Sequence, residues 1–227
     1  MLEQILDYER NAFLWLNGRH NAFMDSFFWL YSGQIVWIPI TIFLLFLLFY
    51  KKNWKESLLI LLSIVLIIIL CDQISSNICK PYFMRFRPTH HPDFMDYVKT
   101  VNDYKGGKYG FISGHAANSF GFALFTILLF RYRWYTISIL IWGTLMAYSR
   151  IYLGVHFISD IVPAIVVSIL IAYLIYKLYI VVRRKLLNKN DNPCLIYSDG
   201  RKKLILMGLL ATFLFMVVCS MVKIYTN

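Results

Sequence analysis

The stretch SRIYLGVHFISD, Ser149 to Asp160, joins two long apolar runs, Trp134–Tyr152 and Phe157–Val182. His156 and Asp160 stand four residues apart. On a helix that spacing places both on one face. There a carboxylate orients an imidazole, fixes its tautomer and stabilises its cationic form. Arg150, six residues before the histidine, adds a rigid forked ligand suited to phosphate. Ionisable groups at the edge of a membrane span are costly and mark function by default.

Two segments upstream carry matching chemistry: Lys80-PYFMRF-Arg87-Pro88 and Ser113-Gly114-His115. Together the three supply three cations, a hydroxyl, a flexible glycine and two histidines, an inventory for transferring a phosphoryl group. His156, as neutral imidazole, attacks phosphorus, and Asp160 stabilises the charged product. His115 protonates the leaving oxygen and then activates water. Lys80, Arg87 and Arg150 hold the phosphate and stabilise charge on the equatorial oxygens of the transition state. Ser113 and Gly114 open a helix whose free N–H groups and dipole suit a phosphate oxygen, and Gly114 permits a close backbone approach. Arg85 reads as a snorkelling anchor.

These segments resemble, in order and spacing, the three signature motifs of the type 2 phosphatidic acid phosphatase family, also called the lipid phosphatase/vanadium haloperoxidase superfamily. The family pattern is a lysine, six residues and Arg-Pro; Pro-Ser-Gly-His; then Ser-Arg, five residues, His, three residues, Asp. The first and third match at every defined position. The second has Ile112 where the family has proline, a change expected to alter the start of a helix and not its chemistry. The resemblance covers Lys80–Asp160. It implies an all-α membrane bundle with its pocket at the membrane surface, His156 as the nucleophile, and a lipid phosphate as substrate.

Composition agrees with a membrane location. Of 227 residues, 59% are hydrophobic and 15% charged, where soluble domains are about 45–50% apolar. The chain reads as one integral-membrane domain, 1–227, with about six transmembrane helices, each needing about 20 apolar residues. The expected spans are Ile35–Tyr50, Leu58–Ile78, Ile112–Phe130, Trp134–Tyr152, Phe157–Val182 and Leu204–Val222. Leu2–Leu16 reads as an amphipathic helix on the interface, offering Ile5, Leu6, Phe13 and Leu16 to lipid. The N-terminus lacks signal-peptide features, so insertion is expected to rely on internal spans.

The net charge of +11 sits mostly at the ends of apolar runs, which indicates anchoring and orientation, not nucleic acid. Lys51, Lys52 and Lys55, then Arg131 and Arg133, then Arg183, Arg184, Lys185, Lys189, Arg201, Lys202 and Lys203 fall on one face, which the positive-inside rule makes cytoplasmic. All three motifs then meet at the opposite, outer face. Trp15, Trp29, Trp37, Trp54 and Trp134 read as an interfacial belt. The segment HHPDFMD, His90–Asp96, has no recognised metal spacing and reads as a polar cap over the headgroup; the covalent histidine route needs no metal or other cofactor. Cys71, Cys79, Cys194 and Cys219 form no CxxC pair and no disulfide framework.

The sequence therefore predicts a polytopic lipid phosphatase at the outer face of a bacterial-type inner membrane. Undecaprenyl diphosphate ranks first as substrate, then lipid A phosphate, then phosphatidic acid and phosphatidylglycerol phosphate. A haloperoxidase would use the same pocket in a soluble protein. A lipid transporter or scaffold would not need His115, His156 and Asp160 together.

Overall fold

A computed structural model describes residues 2–188, 193 and 196–226; Lys189 and Cys194 lie outside them. The chain is helical, in order α1 (Leu2–Asn17), α2 (Ala22–Ser32), α3 (Ile38–Phe49), α4 (Trp54–Gln73), a π turn (Ile74–Cys79), α5 (Lys80–Phe83), α6 (Gly114–Phe130), α7 (Arg133–Tyr152), α8 (Ile158–Leu187) and α9 (Asp199–Thr226). Local chemistry sets the starts. Asn53 caps α4 by accepting the Lys55 N–H at 3.0 Å, and Ser113 caps α6, both good N-cap types. Asp160, in the first turn of α8, accepts the Phe157 N–H at 2.9 Å.

The centre of the bundle is α6, packed against α4, α7 and α8. Its Ala116, Ala117, Ser119, Gly121 and Ala123 are buried; small residues let helices approach closely where lipid supplies no hydrophobic drive. Leu62, Ile69, Val162, Leu170, Leu174, Leu210 and Leu214 point outward on α4, α8 and α9. So much exposed aliphatic surface is a liability in water and the proper surface in hydrocarbon.

An all-α membrane protein is thus what the chain forms, but six spans are not all recovered. Trp54–Phe83, Ile158–Leu187 and Asp199–Ile224 are long and apolar enough alone. A fourth span results if α2 and α3, bent 68° at their junction, cross as one broken unit, while α6 is apolar but shorter. The expected span Ile35–Tyr50 takes in the 3-10 turn Ile35–Trp37 and α3 and leaves out α2. The central α6 has 17 residues, short of the about 20 that a span needs; it faces protein more than lipid, which accounts for its small residues.

The N-terminal helix also departs from expectation. Leu6, Glu9, Phe13 and Asn17 form its buried stripe, so Leu6 and Phe13 are core residues, not interfacial ones. Asn17 donates to the Lys99, Ile151 and Tyr152 carbonyls at 3.0, 3.2 and 2.9 Å. Its polar residues resemble a water face in the sequence, because their partners lie far away in the chain.

Two ends of the bundle differ in charge. At one, Arg201 donates to the Leu47 and Tyr50 carbonyls at the close of α3 (2.7 and 2.8 Å), and Lys52 donates to the Ile196 carbonyl. Arg183, counted above as a loop cation, is instead buried in an ion pair with Glu56. At the other end, α5, the start of α6, the end of α7 and the start of α8 converge.

Candidate active site

The site grows from the loop 153–157 between α7 and α8. Its His156 presents Nδ1 to Asp160 Oδ2 at 3.3 Å and lies against the Gly110 backbone. With Nδ1 engaged, Nε2 is the nitrogen left to react. The carboxylate is pinned on every side: Oδ2 takes the Phe157 N–H, and Oδ1 takes Arg85 at 2.8 Å. Asp160, His156 and Arg85 are 0%, 2% and 2% exposed, so these contacts form away from water, where they are strong and costly to break.

Arg85 is the main residue the sequence misread. It is no anchor. It bridges Asp160 to Glu9 of α1, at 2.9 Å, and donates to the Ser159 hydroxyl at 2.7 Å. Glu9 closes the network by accepting the Ser159 N–H at 2.8 Å and the Ser159 hydroxyl proton. The available signal was Glu9 itself, an acid on the same face as Leu6 and Phe13. Nothing in the sequence says that its partner lies 76 residues away.

Lys80, Arg87 and Arg150 do come together. All three act electrostatically on His156 and on His115. The π turn before Lys80 widens the helix; such turns recur at functional sites. Ser75 within it donates to the Ile112 carbonyl at 2.8 Å, which ties α4 to the start of α6. Lys80 donates to Ser76 at 3.3 Å. Arg87 is held by the antiparallel bridge Phe86–Tyr109 and donates Nε to the Tyr109 carbonyl at 3.1 Å. Arg150, on the last turn of α7, is buried against the Ser32 hydroxyl and the Tyr104 side chain, and its Nε has no partner. Ser32 and Tyr104 were not foreseen.

Ser113 sits at the head of α6 as a fully buried cap, its Oγ 3.5 Å from the Ala116 N–H. It presents the first turn, with His115, to the cations. A Cβ on Gly114 would lie 3.2 Å from Ser75 Oγ, so the glycine serves the junction with the π turn. Gly110 is a further residue the motifs omit. A Cβ there would stand 2.9 Å from Asp160 Oδ2, closer than real Cβ atoms come, and a tight 3.2 Å from Arg87 Cγ.

Burial pushes the His156 pKa well below its usual value, and Arg87, Arg150 and Lys80 push it further. The imidazole is therefore held neutral, the nucleophilic form. Arg85 is balanced by Glu9 and Asp160, so the other three cations leave the pocket an excess of positive charge for an anion. The HHPDFMD segment is not simply a cap. His91 is turned into the core against Phe94 and Phe157, while His90 stays near Arg87. Among the described residues no three His, Cys, Asp or Glu side chains group as a metal site. Cys71, Cys79 and Cys219 are free.

A helical membrane protein with a buried His–Asp pair beside clustered cations has an arrangement suited to a phosphate-bearing substrate. The chain belongs to the PAP2 superfamily, whose family model matches residues 58–184. It is 46% identical over 220 residues to a lipid A 4'-phosphatase of Porphyromonas gingivalis, covering 96% of this chain and 93% of the relative. It is 37% identical over 169 residues to a lipid A 4'-phosphatase of Bacteroides thetaiotaomicron, covering 74% and 75% of the two chains. An undecaprenyl-diphosphatase of Sulfolobus acidocaldarius is 29% identical over 146 residues, covering 63% and 64%. No solved structure matches. The protein is a membrane lipid phosphatase. Both lipid A 4'-phosphatases are more similar to this chain than the undecaprenyl-diphosphatase, although the sequence alone ranks undecaprenyl diphosphate first because the three motifs read only the phosphate.

Proposed function

We propose that the protein removes a phosphate monoester from a lipid A-type headgroup through a phosphohistidine on His156. Nε2 of His156 attacks phosphorus as the P–O bond to the sugar breaks. The bound phosphate dianion offsets the three cations, so His115 carries a proton in the complex and gives it to the leaving oxygen. Asp160, fixed by Arg85, stabilises the charged imidazole. Water, losing its proton to His115, then attacks the phosphohistidine, releasing phosphate and restoring neutral His156. Lys80, Arg87, Arg150 and the first turn of α6 hold the phosphoryl oxygens. The unpartnered Arg150 Nε offers one such donor.

The observation that carries this reading is the His156–Asp160 contact inside a cluster of three cations. The two lipid A 4'-phosphatase relatives support the headgroup. The basic end of the bundle lies opposite the site, which supports an outward-facing site in an inner membrane. Phosphate release by purified protein is expected from a lipid A 4'-phosphate and, far more slowly, from undecaprenyl diphosphate. His156→Ala should lower the rate on the order of 10³-fold or more while the protein stays folded. A faster reaction with the diphosphate would reverse the substrate assignment, and near-normal turnover by His156→Ala would remove the nucleophile.

A further inference from the structure

A cleft of about 430 Å³, open on one side at Leu45, Val65 and Ile68, is walled by α3, α4, α6, α7 and α9. It is within the range of about 300–1,000 Å³ typical of ligand sites. Its wall on α6 is Asn118, Ser119, Phe122, Thr126, Leu129 and Phe130. Those positions follow His115 at intervals of three, four, seven, eleven, fourteen and fifteen, so they continue the face of α6 that carries the histidine. Along α6 the cleft extends from Asn118, one turn past His115, to Phe130 near the end of the helix.

Its lining is almost wholly apolar, with two discordant polar atoms. Asn118 Oδ1 is buried and has no hydrogen-bond partner. Asn118 lies about 4.5 Å along the helix axis from His115, three residues at 1.5 Å each. Trp142 also lines the cleft, its indole N–H likewise unpartnered. An orphaned acceptor in an apolar chamber is costly unless a ligand supplies the donor. Lipid phosphates bring an acyl chain that must go somewhere while the phosphate sits among the cations.

We propose that this cleft is the acyl-chain site of the enzyme, and that Asn118 reads a hydroxyl on that chain close to the headgroup. The proposal rests on the site reading given under Proposed function. The aliphatic walls take the methylenes, and Asn118 Oδ1 accepts the hydroxyl proton. A plain chain fits the same space but leaves the acceptor unpaired, so the hydroxylated chain is preferred.

Three probes test this on the purified full-length protein: p-nitrophenyl phosphate, which has no chain, and two synthetic acyl-glucosamine phosphates bearing tetradecanoyl or its β-hydroxy derivative. Wild type should favour the β-hydroxy lipid in kcat/KM by about fivefold, the value of one neutral hydrogen bond. Asn118→Leu should erase that preference and leave p-nitrophenyl phosphate turnover as in wild type. Ile64→Trp, which fills the cleft from α4, should raise KM for both lipids about tenfold without affecting the chainless probe. Thermal unfolding monitors the fold, and Asn118→Ala repeats the comparison with a smaller side chain. Equal kcat/KM for the two lipids in wild type, or a preference that survives both Asn118 variants, overturns the hydroxyl reading. An unchanged lipid KM in folded Ile64→Trp overturns the cleft assignment. Failure to hydrolyse any probe, the chainless one included, overturns the reading of the catalytic site and the proposal with it.

Discussion

At the scale of single residues, the site is built by crowding. Gly110 stands where a methyl group would strike the Asp160 carboxylate and Arg87. Gly110→Ala should therefore displace the His–Asp pair while the helices persist. Because a misplacement near 1 Å can cost about 10²-fold, a drop of that order in kcat/KM is expected with little change in thermal stability. A fully active Gly110→Ala would show that the loop has slack. The charge state of His156 gives a second test. A group whose proton affinity is lowered by burial and by Arg87, Arg150 and Lys80 loses its proton at a lower pH than free histidine. The neutral, reactive form therefore persists as pH falls through 6.5. The acid limb of kcat/KM, which reports the free enzyme, should lie below that value, and a limb above it would contradict a depressed imidazole.

At the scale of elements, α1 acts as a strap. Its buried stripe places Glu9 against Arg85 and Ser159, so the helix farthest from the motifs in the sequence steadies the carboxylate behind His156. Breaking a buried pair from one side costs about 3–5 kcal/mol. Arg85→Ala, which strands two carboxylates, should fall in or above that range as a loss of thermal stability in detergent. Glu9→Ala leaves Arg85 on Asp160 but frees Ser159. A smaller loss of about 1–3 kcal/mol is expected, together with slower turnover of a chainless phosphomonoester. Glu9→Ala matching wild type in both measurements would make α1 a passive cover.

At the scale of the whole molecule, the bundle separates its cations by purpose. Those at the catalytic end cluster around His156, and at the other end Arg201 ties down helix carbonyls; by the positive-inside rule we expect the second end to lie inside. With Cys71, Cys79, Cys194 and Cys219 replaced, a cysteine at Asp103 and one at Lys203 should report this. Both positions are exposed. A membrane-impermeant thiol reagent on intact spheroplasts should label position 103 and spare position 203. The reverse pattern would put the site in the cytoplasm and remove an outer-leaflet substrate.

The helical membrane class and the phosphate chemistry were legible in the chain itself. Long apolar runs admit no other fold in lipid, since backbone groups must be satisfied within each segment. His156 and Asp160 announce themselves because a four-residue spacing is a contact whatever surrounds it. What the sequence left open depends on long-range partners. Arg85 looked like an anchor because Glu9 and Asp160 are distant along the chain. Leu6 and Phe13 looked interfacial because amphipathicity does not say whether lipid or protein covers the apolar face. The bend between α2 and α3, the inward turn of His91 and the cleft along α6 likewise follow from how helices pack, and packing alone decided them.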